Sequence, residues 1–226
     1  MTSRKAFIPL LIGLAALSLQ WLLAWYWVPV DGAQGEVYRI IYLHVPSAFA
    51  AFLAAAVLLI TSICVLRSNS DKWIFTSRAT TEVGLIFTTL TLASGSIWGK
   101  PTWGVWWTWD ARLTTTLLLA LMYGGWLLLY QALPQGDSRR RSCAVLGIMI
   151  AADVPIIYKS VNWWRTLHQP QTIIRSGGST MDGEMLTVLL GGVAIMAVIT
   201  LSMIWVRRDI LILENELEEK SLRGET

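Results

Sequence analysis

The chain has 226 residues, of which 54% are hydrophobic and 15% charged, and its mean hydropathy is +0.53. Soluble domains carry about 45–50% apolar and about 25% charged residues, so this composition excludes a soluble globular protein and a disordered chain. The net charge is only +3. Because no basic run is interleaved with aromatic side chains, nucleic acid is not an expected partner, whereas membrane lipid is.

Six stretches of the sequence are long and apolar enough to cross a membrane. A span needs roughly 17–25 apolar residues, and in lipid its backbone must satisfy its own hydrogen bonds as a helix. The fifth stretch contains one charged residue, Asp153. The sequence therefore predicts an all-α integral membrane protein of one domain, residues 1–226, with six transmembrane helices. The predicted spans are residues 6–30, 40–66, 83–99, 113–136, 142–158 and 185–206.

The distribution of Lys and Arg predicts the orientation of these spans. With the N-terminus in the cytoplasm, twelve of the eighteen basic residues fall on the cytoplasmic side and six on the other. Short cytoplasmic loops carry the excess of positive charge. We therefore expect both termini to be cytoplasmic.

The last twenty residues, 207–226, are predicted to continue the final span as a charged helix. Ile210, Leu211, Leu213 and Leu217 recur at helical spacing among the charges. This cytoplasmic helix or tail could dock a soluble partner, or it could be a solvated helix end. The sequence leaves both readings open.

The only two histidines, His44 and His168, fall on the outer side of this topology. A neutral imidazole is a good iron ligand, and two of them would satisfy the axial positions of a heme. The alternative is that these are two unrelated surface histidines.

A tryptophan-rich segment between the third and fourth spans favours a bound ligand. Five of the thirteen tryptophans lie within residues 98–112, which we expect to form an outer loop. An interfacial aromatic belt explains one or two tryptophans at a helix end, but five suit a large, flat, apolar ligand with polar edges. Helical spacing predicts one shared face for Trp103, Trp106, Trp107 and Asp110.

Several charged residues are candidates for the polar edges of such a ligand. Arg39 and Arg112 lie on the histidine side, and a guanidinium recognises a carboxylate, such as a heme propionate, by a bidentate fork. Asp110 is either part of the site or simply the N-cap of the fourth helix. Asp153, the intramembrane acid, is either functional or paired with Lys159 or another outer cation.

The motifs resemble those of a known family. The run Trp-Gly-Val-Trp-Trp-Thr-Trp-Asp-Ala-Arg-Leu-Thr, residues 103–114, resembles the signature of the heme-handling membrane proteins of cytochrome c biogenesis. Tyr-Leu-His-Val-Pro, residues 42–46, and Trp-Trp-Arg-Thr-Leu-His-Gln, residues 163–169, are similar to the small six-helix member, the heme exporter protein C family. The likeness extends over nearly the whole chain in size, span count and motif order.

This resemblance implies a site and a role. His44 and His168 would be the axial ligands of a heme b held at the periplasmic face of the bacterial inner (plasma) membrane, and Arg39 and Arg112 would hold its propionates. The platform would consist of Trp98, Trp103, Trp106, Trp107, Trp109 and Asp110. The partners implied are a membrane-anchored periplasmic heme chaperone, the ATPase and permease subunits of an ABC transporter, and a small single-span subunit.

The function expected from these observations is binding and presentation of heme, not catalysis. No nucleophile–base pair is evident on the outer side, so the chain is not expected to be an enzyme. Two other classes of protein are the alternatives to a heme-presenting protein. One is a b-type membrane cytochrome, which usually buries histidine pairs within its helices. The other is a heme-free permease subunit, for which neither internal repeats nor broken midplane helices are clear.

Overall fold

The computed structural model describes residues 2–68, 70–168, 179 and 181–224, with the side chains of the first few residues left out. Gln169 of the second histidine motif and Arg175 of the charge count lie outside the described residues. Within the described ranges the chain is helical and contains no strand, as predicted. Its elements are α1 (Thr2–Tyr26), a short 3-10 helix (Glu36–Ile40), α2 (Ile41–Arg67), α3 (Asp71–Trp103), α4 (Ala111–Ala132), α5 (Asp137–Trp163) and α6 (Gly183–Leu222).

The helices α2 to α5 pack around one another, and α6 joins α1 to the α2–α3 side of that group. The packing between α4 and its neighbours is reinforced by buried polar tips. Trp126 is fully buried and its Nε1 donates to the carbonyl of Cys143 on α5 at 2.7 Å. The hydroxyl of Tyr123 donates to the carbonyl of Ala51 on α2 at 3.2 Å. Large aromatic rings therefore fill this interior without leaving these polar atoms unsatisfied.

Five of the six long helices are long and apolar enough to cross a membrane, and α3 is not among them. Its hydropathy is lowered by buried hydroxyls, which donate to the carbonyl four residues earlier in the same helix. Because these groups are satisfied locally, α3 can lie among other helices at little energetic penalty. Such residues include Thr80, Thr81, Thr88, Thr91 and Ser94. The count of six spans stays a prediction.

Both α3 and α6 are longer than the predicted spans. At 1.5 Å per residue, the 40 residues of α6 extend over about 60 Å, twice the roughly 30 Å of a hydrocarbon core. The two helices stay together at the end remote from residue 103, where Arg207 pairs with Glu82 at 2.5 Å and Leu211 is buried. The tail predicted as a helix is thus a direct continuation of α6 as far as Leu222.

The tryptophan-rich segment differs from the expectation of one loop over residues 98–112. The helix α3 continues through Pro101 to Trp103, and Gly104 ends it with a φ of 81° in the left-handed region that favours glycine. Residues 104–110 are not helical. The predicted shared helical face of Trp103, Trp106, Trp107 and Asp110 is therefore wrong, because the glycine cap interrupts the helical spacing directly after Trp103.

Candidate ligand-binding site

A cavity of about 230 Å³ lies among α2, α3, α4 and α5 at the end where α3 finishes. Its wall is mostly apolar and includes Phe49 and Phe52 of α2 and Leu119 of α4. Both histidines line it, although 124 residues of sequence separate them. Of the other predicted site residues, Trp98, Trp103 and Arg112 line it as well.

His44 lies in the first turn of α2 and packs directly against α3. Its Nδ1 is 3.1 Å from the hydroxyl oxygen of Ser94. Gly95 makes this approach possible, because a Cβ there would be 2.9 Å from His44 Cε1. Trp98 meets the ring edge to face at 5.7 Å between centroids and is itself held by a 2.7 Å hydrogen bond from its Nε1 to Gln34. The imidazole is thus fixed on several sides while it lines the cavity.

His168 is held by the segment that follows α5. Its ring lies 5.0 Å from that of Trp103, centroid to centroid. Asp110 accepts hydrogen bonds from the Thr166 hydroxyl and, at 3.0 Å, from the backbone N–H of Leu167. The same carboxylate caps α4 by accepting from the N–H groups of Arg112 and Leu113. Asp110 is therefore the N-cap of α4, and it also anchors the segment that carries His168.

The electrostatics favour a neutral His168. Burial, to which the positive charge of Arg112 adds, lowers the pKa of His168 to about 4 against the opposing pull of Asp110. Burial also acts to raise the pKa of Asp110, but the hydrogen bonds from Thr166 and the Arg112 N–H prevail and hold it below its ordinary value. At neutral pH the site therefore contains a carboxylate and an uncharged imidazole, the form that coordinates metals. The His168 Nδ1 has no hydrogen-bond partner among the described residues and lies 3.6 Å from Asp110 Oδ1.

Arg112 is the cation of the cavity wall. Its Nη2 donates to the carbonyl of Tyr158 at 3.4 Å, while its buried Nε has no hydrogen-bond partner in the part of the chain that the structure describes. A buried guanidinium N–H without an acceptor is costly, so this atom is available for an anionic group of a ligand.

Arg39 does not line this cavity. Its buried guanidinium donates to the carbonyl of Ala24 in α1, to that of Val28 just after α1, and to Glu36. Three acceptors already engage it, so in this arrangement Arg39 ties α1 to the start of α2.

Two of the remaining three tryptophans of the segment are exposed. Trp106 is 58% exposed and Trp109 is 77% exposed. Trp107 packs edge to face on Trp109 at 5.6 Å. The structure thus divides the predicted aromatic platform into two cavity residues, Trp98 and Trp103, and an outer group of three.

Asp153 is buried in α5 and is not among the residues that line the cavity. Its Oδ2 has no hydrogen-bond partner, and within the described ranges no ion pair joins it to Lys159. Pairing with Lys159, one of the alternatives left open by the sequence, is therefore not found here.

Sequence reasoning missed the residues that hold the two histidines in place. These residues contact His44 or the segment of His168, and their residue types do not by themselves indicate a site. They are Ser94, Gly95 and Thr166. The one available signal was the run of small residues Ala93-Ser94-Gly95-Ser96, which indicates close approach of another helix. No sequence rule, however, says that His44 is what approaches.

Together the fold and the cavity define a multi-pass helical membrane protein with an apolar pocket near one helix end that offers two imidazoles, aromatic faces and one guanidinium. The comparison with protein families makes this specific. Residues 1–223 match the family "Heme exporter protein C", and the chain belongs to that family.

Individual relatives agree with this assignment. The chain is 37% identical over 196 residues to heme exporter protein C of Bradyrhizobium diazoefficiens, covering 87% of this chain and 73% of that protein. It is 38% identical over 168 residues to heme exporter protein C of Escherichia coli K12, covering 74% and 69%. The protein of the same name from Haemophilus influenzae is 36% identical over 177 residues, covering 78% and 71%.

Proposed function

We propose that this chain binds heme in the cavity at the end of α3 and takes part in heme export for cytochrome c maturation. The observation that carries the proposal is that His44 and His168, the only histidines of the chain, line the same cavity. Two imidazoles complement an iron that already has four porphyrin nitrogens. The apolar wall suits the macrocycle, which is the substrate rather than a resident cofactor.

In this proposal each wall residue has a separate role. His44 and His168 bind the iron of heme b axially, while Trp98 and Trp103 contact the macrocycle. Arg112 receives a propionate on its free Nε. The sequence also predicts a propionate at Arg39. Because its guanidinium already donates to the carbonyls of Ala24 and Val28, we assign the propionate to Arg112 before Arg39.

The exposed outer tryptophans suit a different role, presentation to a partner. Trp106 and Trp109 are exposed and offer aromatic surface to a protein that approaches the site, while Trp107 packs on Trp109. We propose that heme is held there for a membrane-anchored periplasmic heme chaperone, within an ABC-type complex in the bacterial inner membrane. Oriented holding raises the effective concentration of the heme at the partner, without bond-making chemistry by this chain.

Replacement of the histidines tests the heme site. The purified full chain should carry a six-coordinate, low-spin heme. His44→Gly and His168→Gly should each open one coordination position while Trp98, Trp103 and Arg112 retain part of the heme. The double variant should lose most of it, because the chain has no third histidine. Added imidazole should restore the low-spin spectrum of each single variant.

The matched control is Ser47→Ala, which removes a buried hydroxyl one turn from His44 that donates only to its own helix, at Leu43. Its absorption spectrum and heme content should equal those of the parent. An unchanged low-spin spectrum in either single Gly variant would remove that histidine from the proposed ligand pair.

A further inference from the structure

The contact between His44 and Ser94 bears on which imidazole nitrogen carries the proton and which is left with a free lone pair. A neutral imidazole has one nitrogen that donates a hydrogen bond and one that accepts, and the hydrogen-bond partner of one nitrogen determines the role of the other. The Ser94 hydroxyl has one proton to donate and can also accept. The 3.1 Å contact to Nδ1 can therefore run in either direction, unless another partner already takes the serine proton.

The proton of Ser94 is taken by its own helix. Ser94 Oγ lies 2.7 Å from the carbonyl oxygen of Leu90, with the carbonyl of Thr91 as a second acceptor at 3.2 Å. Carbonyl oxygens only accept, so the hydroxyl proton points along α3 and a lone pair faces His44. The contact is then a hydrogen bond from Nδ1–H to Oγ.

We propose that Ser94 is a positioning residue that keeps the His44 proton on Nδ1, so that Nε2 presents its lone pair to the cavity. The first half of this statement is independent of any ligand. The second half, that Nε2 is the atom offered to heme iron, rests on the proposed function. Gly95 assists, because the absence of a Cβ lets the ring lie against α3 where the Ser94 hydroxyl can reach it.

The two histidines are unequal in this respect. Within the described residues His168 Nδ1 has no hydrogen-bond partner, and Asp110 Oδ1 is 3.6 Å away. His44 is thus pre-set as a ligand before heme arrives, whereas His168 can still tighten onto Asp110. A hydrogen bond from the remote nitrogen orients a metal-bound imidazole and raises its basicity, so loss of Ser94 should weaken the His44 side alone.

The tautomer can be measured without heme. The full chain, labelled with ¹⁵N-histidine in detergent, contains two imidazoles, and His168→Gln assigns the remaining signals to His44. We expect the parent to show a protonated Nδ1 and an unprotonated Nε2 at His44. Ser94→Ala should move part of the population to the Nε2–H form, with the Thr91 carbonyl left as the other acceptor for the ring. Ser94→Thr, which keeps the hydroxyl, should not.

Ser47→Ala is the control here as well, since it removes a hydroxyl of α2 without touching the imidazole. A His44 proton already on Nε2 in the parent, or a tautomer that Ser94→Ala leaves unchanged, would overturn the assignment.

Heme-loaded protein tests whether Ser94 positions His44 to bind the iron through Nε2. Ser94→Ala should give a more positive iron midpoint potential and altered low-spin electron paramagnetic resonance signals at equal protein level, and Ser94→Thr should restore both. A potential and signals that do not move in Ser94→Ala would overturn the positioning role. If instead the chain binds no heme while the tautomer behaves as expected, the proposed function fails and the assignment of the His44 proton stands.

Discussion

At the scale of single residues, Trp103 and Trp106 lie three residues apart but meet different surroundings. Trp103 is the last residue of α3, lines the cavity and lies 5.0 Å from His168 between ring centroids. Trp106 comes after the glycine cap and is more than half exposed. Although both are tryptophans of the same sequence segment, of these two only Trp103 is placed to contact a ligand in the cavity.

Replacement of Trp103 with Ala should therefore weaken heme retention more than replacement of Trp106. An aromatic contact is worth about 1 kcal/mol beyond its buried area, which corresponds to roughly a fivefold change in affinity. Heme occupancy at matched protein level, read from the absorption spectrum, measures the effect. Trp205→Ala, which removes a partly exposed tryptophan of α6 far along the chain from the cavity, is the control.

Equal occupancy in the Trp103, Trp106 and Trp205 variants would assign all of these tryptophans to an interfacial belt. Loss confined to the Trp106 variant would move the heme contact to the outer group.

At the scale of helices, the first turn of α2 lacks one backbone hydrogen bond, and a side chain of another helix supplies it. Pro46 has no N–H, so the carbonyl of Tyr42 lacks its usual partner in the helix. Gln20 of α1, which is 3% exposed, donates its Nε2 to that carbonyl at 3.3 Å. Gln20 in turn fits beside Gly192 of α6, where a Cβ would be 2.1 Å from Nε2. Three helices therefore meet at the turn that carries His44.

Gly192→Ala should destabilise the protein, because the added methyl displaces the Gln20 amide. Overpacking of this kind costs about 1–3 kcal/mol. Gly191→Ala is the matched control, since no atom lies within 4 Å of its added Cβ, and Ala is the better helix former. We expect a lower midpoint of thermal unfolding in detergent for Gly192→Ala, and an equal or higher one for Gly191→Ala.

A double variant separates the steric cause from a general effect on α6. In a Gln20→Ala background the obstructing amide is gone, so Gly192→Ala should lose most of its destabilising effect. Equal destabilisation by the Gly192 substitution in both backgrounds would show that the contact with Gln20 is not its cause.

At the scale of the whole molecule, the two ends of the bundle are built differently. One end holds the cavity, the histidines and the tryptophans. At the other end α3 and α6 continue side by side, joined where Arg207 pairs with Glu82, which also meets Arg78 at 3.3 Å. With the excess of basic residues at this second end and in the loops beside it, the charge distribution predicts that it faces the cytoplasm.

Cysteine labelling tests this orientation. In a background that lacks Cys64 and Cys143, Ala33→Cys and Gly183→Cys should react with an impermeant thiol reagent in intact spheroplasts. Ser138→Cys and Ser221→Cys should react only after the membrane is opened. All four positions are exposed to the surroundings of the protein, and Ala33 avoids the positive φ of nearby Gly35. Labelling of the two serine positions alone would show the opposite topology. Labelling of all four positions in intact spheroplasts would contradict the predicted topology.

The sequence alone was sufficient to predict the helical class and the approximate position of the long apolar helices, and it singled out the two histidines that line one cavity. Apolar runs show where helices lie in lipid because the membrane forces the backbone to satisfy itself. The motifs around His44, His168 and the tryptophans pointed to the heme exporter protein C family, which the family comparison confirms. Asp110 could be recognised as a cap because capping depends on residues within one turn.

The tertiary structure alone brought together what is distant in sequence. Ser94 contacts His44 across 50 positions, and Asp110 holds Thr166 across 56. Arg39 and Arg112 looked equivalent in the sequence, yet α1 supplies carbonyls to Arg39 and leaves Arg112 to the cavity wall. These contacts depend on which faces of the helices pack together, and periodicity identifies an apolar face without naming its neighbour. For that reason the sequence could single out His44, His168 and Arg112, while only the fold could say which side chains hold them in place.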